Sequence, residues 1–179
     1  WLDESKTSSY ELYQYLINTD DTKVEEYLKV LTFLTPSEIM KVMEEHNKEP
    51  EKRVAQKTLA KQIITDLHGE ESCKQAIKIS ESLFSGDVKS FTEKDINDAF
   101  KGLEPFIITE DKNIVDVLVE GGVCSSKREA REFITNGSIT INGDKVTDVS
   151  KNIGKDICLF DKYLIIRRGK KKYYIGIYK

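Results

Sequence analysis

The sequence is poor in the residues that build metal sites and disulfide frameworks. It contains 3 cysteines and 2 histidines in 179 residues. Cys73, Cys124 and Cys158 are odd in number and widely spaced, which is typical of reduced thiols. No two of them stand at the short spacing of a zinc-binding pair. We therefore expect neither a disulfide framework nor a metal site.

Long apolar runs are also missing. No stretch approaches the roughly 18 residues of a membrane-spanning helix, and "WLDESKTSSY" lacks the basic-then-apolar layout of a secretory signal. We therefore expect a cytoplasmic protein with no membrane partner. The chain opens on Trp1 rather than on Met, with a large aromatic residue at a terminus that offers it little to pack on. This suggests a segment of a longer protein.

Charge is unevenly distributed along the chain. The total is 28 basic against 31 acidic residues, a net charge of −3. Residues 1–109 contain 14 basic and 21 acidic side chains, whereas residues 110–179 contain 14 basic and 10 acidic ones. An acidic segment is thus joined to a basic one, and the basic segment is the part that could meet phosphate.

The first part of the chain has the pattern of consecutive helices. Apolar residues recur at helical spacing, and no strand-like alternation competes with them. Glycines at positions 69, 86 and 102 close three of these helices. The pattern predicts an all-helical domain over residues 1–102. The candidate N-caps are Ser8 or Ser9, Asp20 or Asp21, Thr35 in a capping box with Glu38, and Thr92.

The pattern changes in the last third of the chain. Residues 103–112 break the helical rhythm and are predicted to be a linker. Two short helices follow, the second with Ser126 and Glu129 as a predicted capping box. The segments "SITING", with its Asn-Gly turn, "DICLF", "YLIIRR" and "KKYYIGIY" are predicted strands. Residues 113–179 are therefore expected to form a small domain of two helices packed on a mainly antiparallel sheet, and the fold class is α+β.

One basic segment is the second of these short helices. Lys127, Arg128 and Arg131 lie along one stripe of it, while Phe133 and Ile134 lean toward another. Such a stripe can bind phosphates. The alternative interpretation is a solvated helix face, and the helix alone does not decide between the two.

The other basic segment is "IRRGKKKYYI" near the end of the chain. If it ends in a strand, Lys172, Tyr174 and Gly176 share a face that offers charge, a flat ring and close backbone approach, as a nucleic-acid surface does. A lysine-rich edge strand that resists aggregation is the alternative. We favour phosphate binding because both basic segments belong to one small basic domain. The candidates here are Arg167, Arg168, Lys170, Lys171, Lys172 and Tyr174.

No group of residues predicts catalysis. "ESKTSS" lacks the glycines of a phosphate-binding loop. Acidic pairs such as Glu44-Glu45 are typical of solvated helix ends. His68, next to Gly69, is expected in a last helical turn without a Cys or Ser partner. We therefore predict no catalytic residue in this chain.

Five longer segments follow one another in order over essentially the whole chain: "SSYELYQYLINTDD", "AQKTLAKQIITDLHGEE", "AIKISESLFSGD", "SKREAREFITNGSITING" and "IRRGKKKYYI". Together they resemble the C-terminal part of bacterial tyrosyl-tRNA synthetases. Ser9 stands where the family usually has proline. The HIGH-like and KMSKS-like signatures of the family's ATP-binding catalytic domain are not present in the sequence. The resemblance therefore implies a segment without the active site.

The resemblance assigns roles to the two predicted domains. It implies that residues 1–102 bind the anticodon and that residues 113–179 are an RNA-binding domain of the αL type, shared with a ribosomal small-subunit protein. Asp20 and Asp21 become candidates for anticodon recognition, since a carboxylate can accept from a base amino group. The implied contacts with the tRNA backbone are Lys127, Arg128, Arg131, Arg167, Arg168 and Lys170 to Lys172.

The resemblance also implies partners and cofactors. The partner is tRNA(Tyr), and the segment itself carries no cofactor. The intact enzyme would use ATP with magnesium and would dimerise through its catalytic domain, so the segment alone is expected to be an inactive monomer. The alternatives are an RNA-modifying enzyme or a protein-interaction scaffold that carries an αL-type RNA-binding domain.

Overall fold

The structure is a computed structural model that describes residues 2–4, 6–170 and 172–179. Trp1 and Lys171, on which two of the sequence-based predictions fall, lie outside the described residues. The chain divides into two compact units, of which the first ends at Glu81 and the second runs from Ser82 to Lys179. The first unit is helical and the second combines helices with a sheet. The predicted α+β class is confirmed.

The first unit is built from capped amphipathic helices. Ser8 accepts from the amide of Glu11 in a capping box, and Thr35 forms the same motif with Glu38, as predicted. Gly69 adopts a φ of 87° and a ψ of 167° and interrupts the last helix where the sequence predicts a break. The helices are α1 (Ser9–Ile17), α2 (Asp21–Leu31), α3 (Pro36–Lys48), a short 3-10 helix (Pro50–Lys52) and α4 (Val54–Ser85).

The second unit is a five-stranded sheet with three helices. The strand order is β1-β7-β6-β3-β4, in which only the β1–β7 pair is parallel, and β2 pairs with β5 in a separate ladder. The helices are α5 (Glu93–Phe100), α6 (Ile114–Glu120), α7 (Lys127–Thr135) and a short 3-10 helix (Lys155–Ile157). The strands are β1 (Phe106–Ile108), β2 (Lys112–Asn113), β3 (Ile139–Ile141), β4 (Asp144–Val146), β5 (Asn152–Ile153), β6 (Tyr163–Arg168) and β7 (Lys172–Tyr178).

Residues 103–112, predicted as a linker, contain the edge strand β1. Phe106 lies opposite Gly176 of β7, and a Cβ atom at position 176 would come within 2.8 Å of the Phe106 ring. The glycine therefore admits the phenylalanine. A three-residue strand whose partner lies about 70 residues away leaves no local periodicity, which is why the segment has the sequence pattern of a linker.

Helix α5 belongs to the second compact unit, although the sequence assigns it to the first domain. The ring centroids of Phe100 and Tyr173 lie 5.8 Å apart, and the Tyr163 hydroxyl lies 3.5 Å from an oxygen of Asn97. Contacts of this kind attach α5 to β6 and β7. The functional boundary at residue 102 stays a prediction.

Two local details differ from the sequence-based expectation. "DICLF" is a 3-10 turn with a single bridge from Leu159 to Tyr163, and Phe160 follows with a φ of 54°. A left-handed residue interrupts strand geometry, so the predicted strand is wrong.

Ser126 does cap α7, but the Glu129 carboxylate accepts from the amide of Ser125, 2.6 Å away, in place of the predicted capping box. In the part of the chain that the structure describes, no helix combines the length and apolar character needed to cross a bilayer.

Candidate nucleic-acid interface

The hairpin of β6 and β7 is covered on both faces. Ile166 and Tyr174 pair across it and pack into the core that α6 and α7 share with the sheet. On the opposite face Tyr173 contacts Phe100 and donates its hydroxyl to the carbonyl of Leu83, 2.6 Å away. The ring of Tyr174, a predicted RNA-binding residue, is therefore half-buried in protein contacts.

Arg168 is fixed by its own domain. Its guanidinium carbon lies 5.5 Å from the ring centroid of Phe133 and 5.8 Å from that of Tyr174. Nη1 also donates to the backbone carbonyl of Val123. A guanidinium held by two rings and a carbonyl ties α7, β7 and the α6–α7 loop together. Its first role is thus structural, and only its outer edge can meet a ligand.

Arg167 is also engaged by the protein. A Cβ atom at position 86 would lie 2.5 Å from Nη1 of Arg167, so the guanidinium stacks closely on the backbone of Gly86. Its Nε is buried and has no hydrogen-bond partner among the described residues. Both arginines are therefore held by contacts within the protein, unlike Lys170 and Lys172, which follow them.

Four of the predicted cations are exposed and open to a ligand. Arg128 and Arg131 lie on α7, and Lys170 and Lys172 flank the start of β7. No hydrogen bond or ion pair joins these four side chains to another described residue. Lys170 follows Gly169, whose φ of 66° forms the turn between β6 and β7. Free lysine and arginine side chains are the groups that contact phosphate oxygens.

A shallow groove lies between α7 and this turn. It has a volume of about 420 Å³, and Phe133 gives it an aromatic wall. Sequence reasoning missed this ring as a site residue, because its helical spacing assigned it to the apolar side of α7. The one signal in the sequence was the position of Phe133, an aromatic residue two positions after the basic residue Arg131. The groove is lined by Glu129, Phe133, Ser138, Arg168, Gly169, Lys170 and Lys172.

Two charged residues of α7 offer no free positive charge to a ligand. Hydrogen bonds from the hydroxyl and amide of Ser125 lower the pKa of Glu129, so this carboxylate stays ionised. Lys127, a predicted phosphate contact, lies 2.6 Å from the Asp116 carboxylate. Because that carboxylate neutralises it, Lys127 is a weaker phosphate ligand than its neighbours on α7.

The second candidate site is the turn between α1 and α2. Asp20 and Asp21 are both exposed there. Asp20 accepts from the amide and hydroxyl of Thr22 at 2.8 Å and 2.7 Å, and these bonds lower its pKa. Asp21 accepts from Nε2 of Gln56 at 2.5 Å and lies 3.3 Å from Nε2 of His46. In both residues these contacts go to Oδ1, which leaves Oδ2 without a hydrogen-bond partner among the described residues.

His68 has a serine neighbour, contrary to the expectation from sequence. Its Nδ1 lies 2.8 Å from Oγ of Ser9, and its Nε2 lies 2.9 Å from the carbonyl oxygen of Leu2. The Ser9 hydroxyl donates to Glu4 and the serine is buried, so the pair ties the start of the chain to α4. Among the residues that the structure describes, no three His, Cys, Asp or Glu side chains are grouped to hold a metal ion.

Comparison with protein families gives two matches in chain order. Residues 1–85 match the model of the class I tRNA synthetases for tryptophan and tyrosine, and residues 95–176 match that of the tyrosine–tRNA ligase SYY-like C-terminal domain. The tyrosine–tRNA ligase of Geobacillus stearothermophilus is 48% identical over 176 residues, which are 98% of this chain and 42% of that protein. The tyrosine–tRNA ligase of Staphylococcus haemolyticus is 46% identical over 180 residues, which are 100% of this chain and 43% of that protein. The chain thus spans about two fifths of these relatives.

Solved structures with similar sequences come from the same group of proteins. A tyrosyl-tRNA synthetase C-terminal domain in solution is 41% identical, covers 54% of this chain and 98% of that one, and superposes with a TM-score of 0.44. A C-terminally truncated mitochondrial tyrosyl-tRNA synthetase of Aspergillus nidulans is 44% identical over 47% of this chain and 23% of that one, with a TM-score of 0.46.

Proposed function

The chain belongs to the tyrosine–tRNA ligase family, and from this premise we propose that it binds tRNA(Tyr) and presents it for ATP-dependent tyrosylation. In this proposal residues 113–179 hold the sugar-phosphate backbone, and residues 1–102 read the anticodon. Neither part performs the chemistry. The intact enzyme is cytoplasmic and dimerises through a catalytic domain that lies outside these 179 residues.

The observation that carries the proposal is a group of open cations in the second unit, two on α7 and two lining the groove. Arg128, Arg131, Lys170 and Lys172 are exposed and make no ion pair with another described residue. Several other surface lysines are held in ion pairs, such as Lys74 with Glu71. A basic surface without internal partners gains most from a polyanion, because binding releases condensed counterions.

ATP and magnesium belong to the catalytic domain in this proposal. The sequence carries no HIGH-like or KMSKS-like signature, and the described residues group no acidic or histidine side chains for a metal. ATP supplies the activated tyrosine there. The residues of this chain contribute binding energy and orientation for the tRNA alone.

The α1–α2 turn supplies selectivity. Asp20 and Asp21 are exposed and each has an Oδ2 without a hydrogen-bond partner among the described residues, and an exposed base can donate its amino group to such an oxygen. Phosphate contacts in the second unit would strengthen the binding of any tRNA, whereas a base contact would favour one anticodon. The two sites therefore have separable effects.

The test compares two activities of the intact enzyme. Tyrosine-dependent pyrophosphate exchange needs only the catalytic domain, whereas charging also needs docked tRNA. Replacing Lys170 and Lys172 by alanine should leave exchange unchanged and lower the charging rate at limiting tRNA. Lys74→Ala, which removes a lysine paired with Glu71, is the matched control. Equal losses in exchange and charging would contradict the docking role, because Lys170 and Lys172 would then support the catalytic domain.

A further inference from the structure

The α1–α2 turn is held from its inner side by polar side chains of the first unit. Arg53 donates through Nε to the carbonyl of Ile17 at 2.9 Å and through Nη2 to that of Thr19 at 2.8 Å. Gln56 of α4 donates to the same Thr19 carbonyl at 3.2 Å and to Oδ1 of Asp21 at 2.5 Å. Side chains distant in sequence therefore fix both the backbone of the turn and one of its carboxylates.

The carboxylate of Asp21 is exposed, whereas the groups that hold it are buried. Its side chain is 54% exposed, and that of His46, whose Nε2 lies 3.3 Å from Oδ1, is 2% exposed. Gln56 is completely buried. Both partners approach Oδ1, and no hydrogen bond joins Oδ2 to another described residue. The exposed carboxylate is therefore held through one oxygen, and the other is available as an acceptor.

We propose that His46 and Gln56 are positioning residues that orient the Asp21 carboxylate for recognition of an anticodon base. The inference rests on the proposed function, since it names the residues behind one of the two base-reading carboxylates. Fixing the carboxylate before binding means that less side-chain freedom is lost when the base arrives. His46 and Gln56 do not contact the tRNA themselves, and they act through Asp21.

Stability alone does not account for this network. Nδ1 of His46 and Oε1 of Gln56 are buried and lack hydrogen-bond partners among the described residues. A partly satisfied buried polar network is a poor substitute for apolar packing. Polar side chains retained at such positions are expected where they serve a site. Asp20 is different, because it is itself the N-cap of α2 and its carboxylate accepts from the amide of Thr22, two residues away.

The experiment measures anticodon discrimination by the whole 179-residue chain. The discrimination ratio is the Kd for a tRNA(Tyr) in which one anticodon base is replaced, divided by the Kd for the original tRNA(Tyr). It is measured for each anticodon base in turn, at one salt concentration. The variants are Asp21→Asn, Gln56→Met, His46→Leu and His46→Gln, the last of which keeps a donor near the position of Nε2. Gln14→Met is the matched control, since the side chain of Gln14 donates to Ser80 at 2.7 Å and makes no hydrogen bond to the turn. Its backbone carbonyl, which accepts from Asn18, is kept in the variant.

Asp21→Asn should lower the ratio by about tenfold, the scale of one good base contact. Gln56→Met and His46→Leu should lower it by about three- to tenfold, because a carboxylate without its supports loses part of that contact. His46→Gln should restore the ratio to within about twofold of the original. Gln14→Met should lower the melting temperature and leave the ratio unchanged, which separates positioning from general destabilisation.

Two results would contradict the inference, and they are distinguishable. If the original chain does not discriminate among anticodons, the proposed anticodon role fails and the inference fails with it. If the original chain discriminates, Asp21→Asn abolishes this, and Gln56→Met and His46→Leu keep it, only the inference fails. Should His46→Leu not unfold cooperatively, Gln56→Met and His46→Gln decide the question.

Discussion

The guanidinium carbon of Arg168 lies 5.5 Å from the ring centroid of Phe133, and both residues line the groove that Lys170 and Lys172 also line. The same guanidinium donates to the carbonyl of Val123. A residue that sequence identifies only as basic is therefore part of the framework that supports the candidate interface. Lys170 and Lys172, which have no such contacts among the described residues, form its open surface.

Arg168→Met should destabilise the chain. The substitution removes a hydrogen bond to a carbonyl and the interaction with two rings, which together contribute about 1–3 kcal/mol to the free energy of unfolding. Lys170→Ala is the control and should change this free energy by no more than about 0.5 kcal/mol. Urea unfolding followed by circular dichroism gives both values. Equal values for the two variants would show that Arg168 is a surface cation like its neighbour.

The open cations should dominate the salt dependence of tRNA binding. Arg128→Ala, Lys170→Ala and Lys172→Ala should each reduce the slope of log K against log salt by about 0.7–0.9, because each removes one phosphate contact. Lys127→Ala should reduce it less, since Asp116 lies 2.6 Å from the Lys127 ammonium. Binding measured between about 50 and 200 mM salt gives the slopes. Unchanged slopes in all three variants would exclude these residues as phosphate contacts.

The helices of the first unit could be predicted because their signals are local. Ser8, Asp20 and Thr35 cap helices within three residues of their partners. Strand β1 could not be predicted, since Phe106 depends on Gly176 at the other end of the second unit. The charged residues of the candidate interface could be identified by type. Their division into engaged and open side chains depends on tertiary contacts that sequence does not show.

Gly176→Ala should destabilise the second unit through the ring of Phe106. The added methyl group would lie 2.8 Å from that ring, and overpacking of this kind costs about 1–3 kcal/mol. Phe106→Leu replaces the ring by a smaller side chain that leaves room for the added methyl group. The double variant should therefore lose less free energy of unfolding than the sum of the two single losses. Urea unfolding of the four proteins measures this coupling. Additive losses would show that Phe106 does not pack on β7.

Asp20 should titrate below its ordinary pKa of 3.8, because the Thr22 hydroxyl and amide donate to its carboxylate. A lowered folded-state pKa means that the stabilisation is present above the unfolded-state value and is lost as pH falls through the folded-state value. Carboxyl carbon NMR titration measures it, and Thr22→Val should raise the pKa toward 3.8 by removing the hydroxyl donor. A pKa at or above 3.8 in the original chain would contradict the capping geometry.

Binding of purified tRNA species to the 179-residue chain tests the central claim most directly. The account predicts that tRNA(Tyr) binds with a lower Kd than tRNAs with other anticodons, and that the affinity for every species falls as salt is raised. The open cations of α7 and of the turn before β7 explain the shared salt dependence, and the carboxylates of the α1–α2 turn explain the preference. Equal affinity for all tRNAs, or an affinity that does not change with salt, would contradict it.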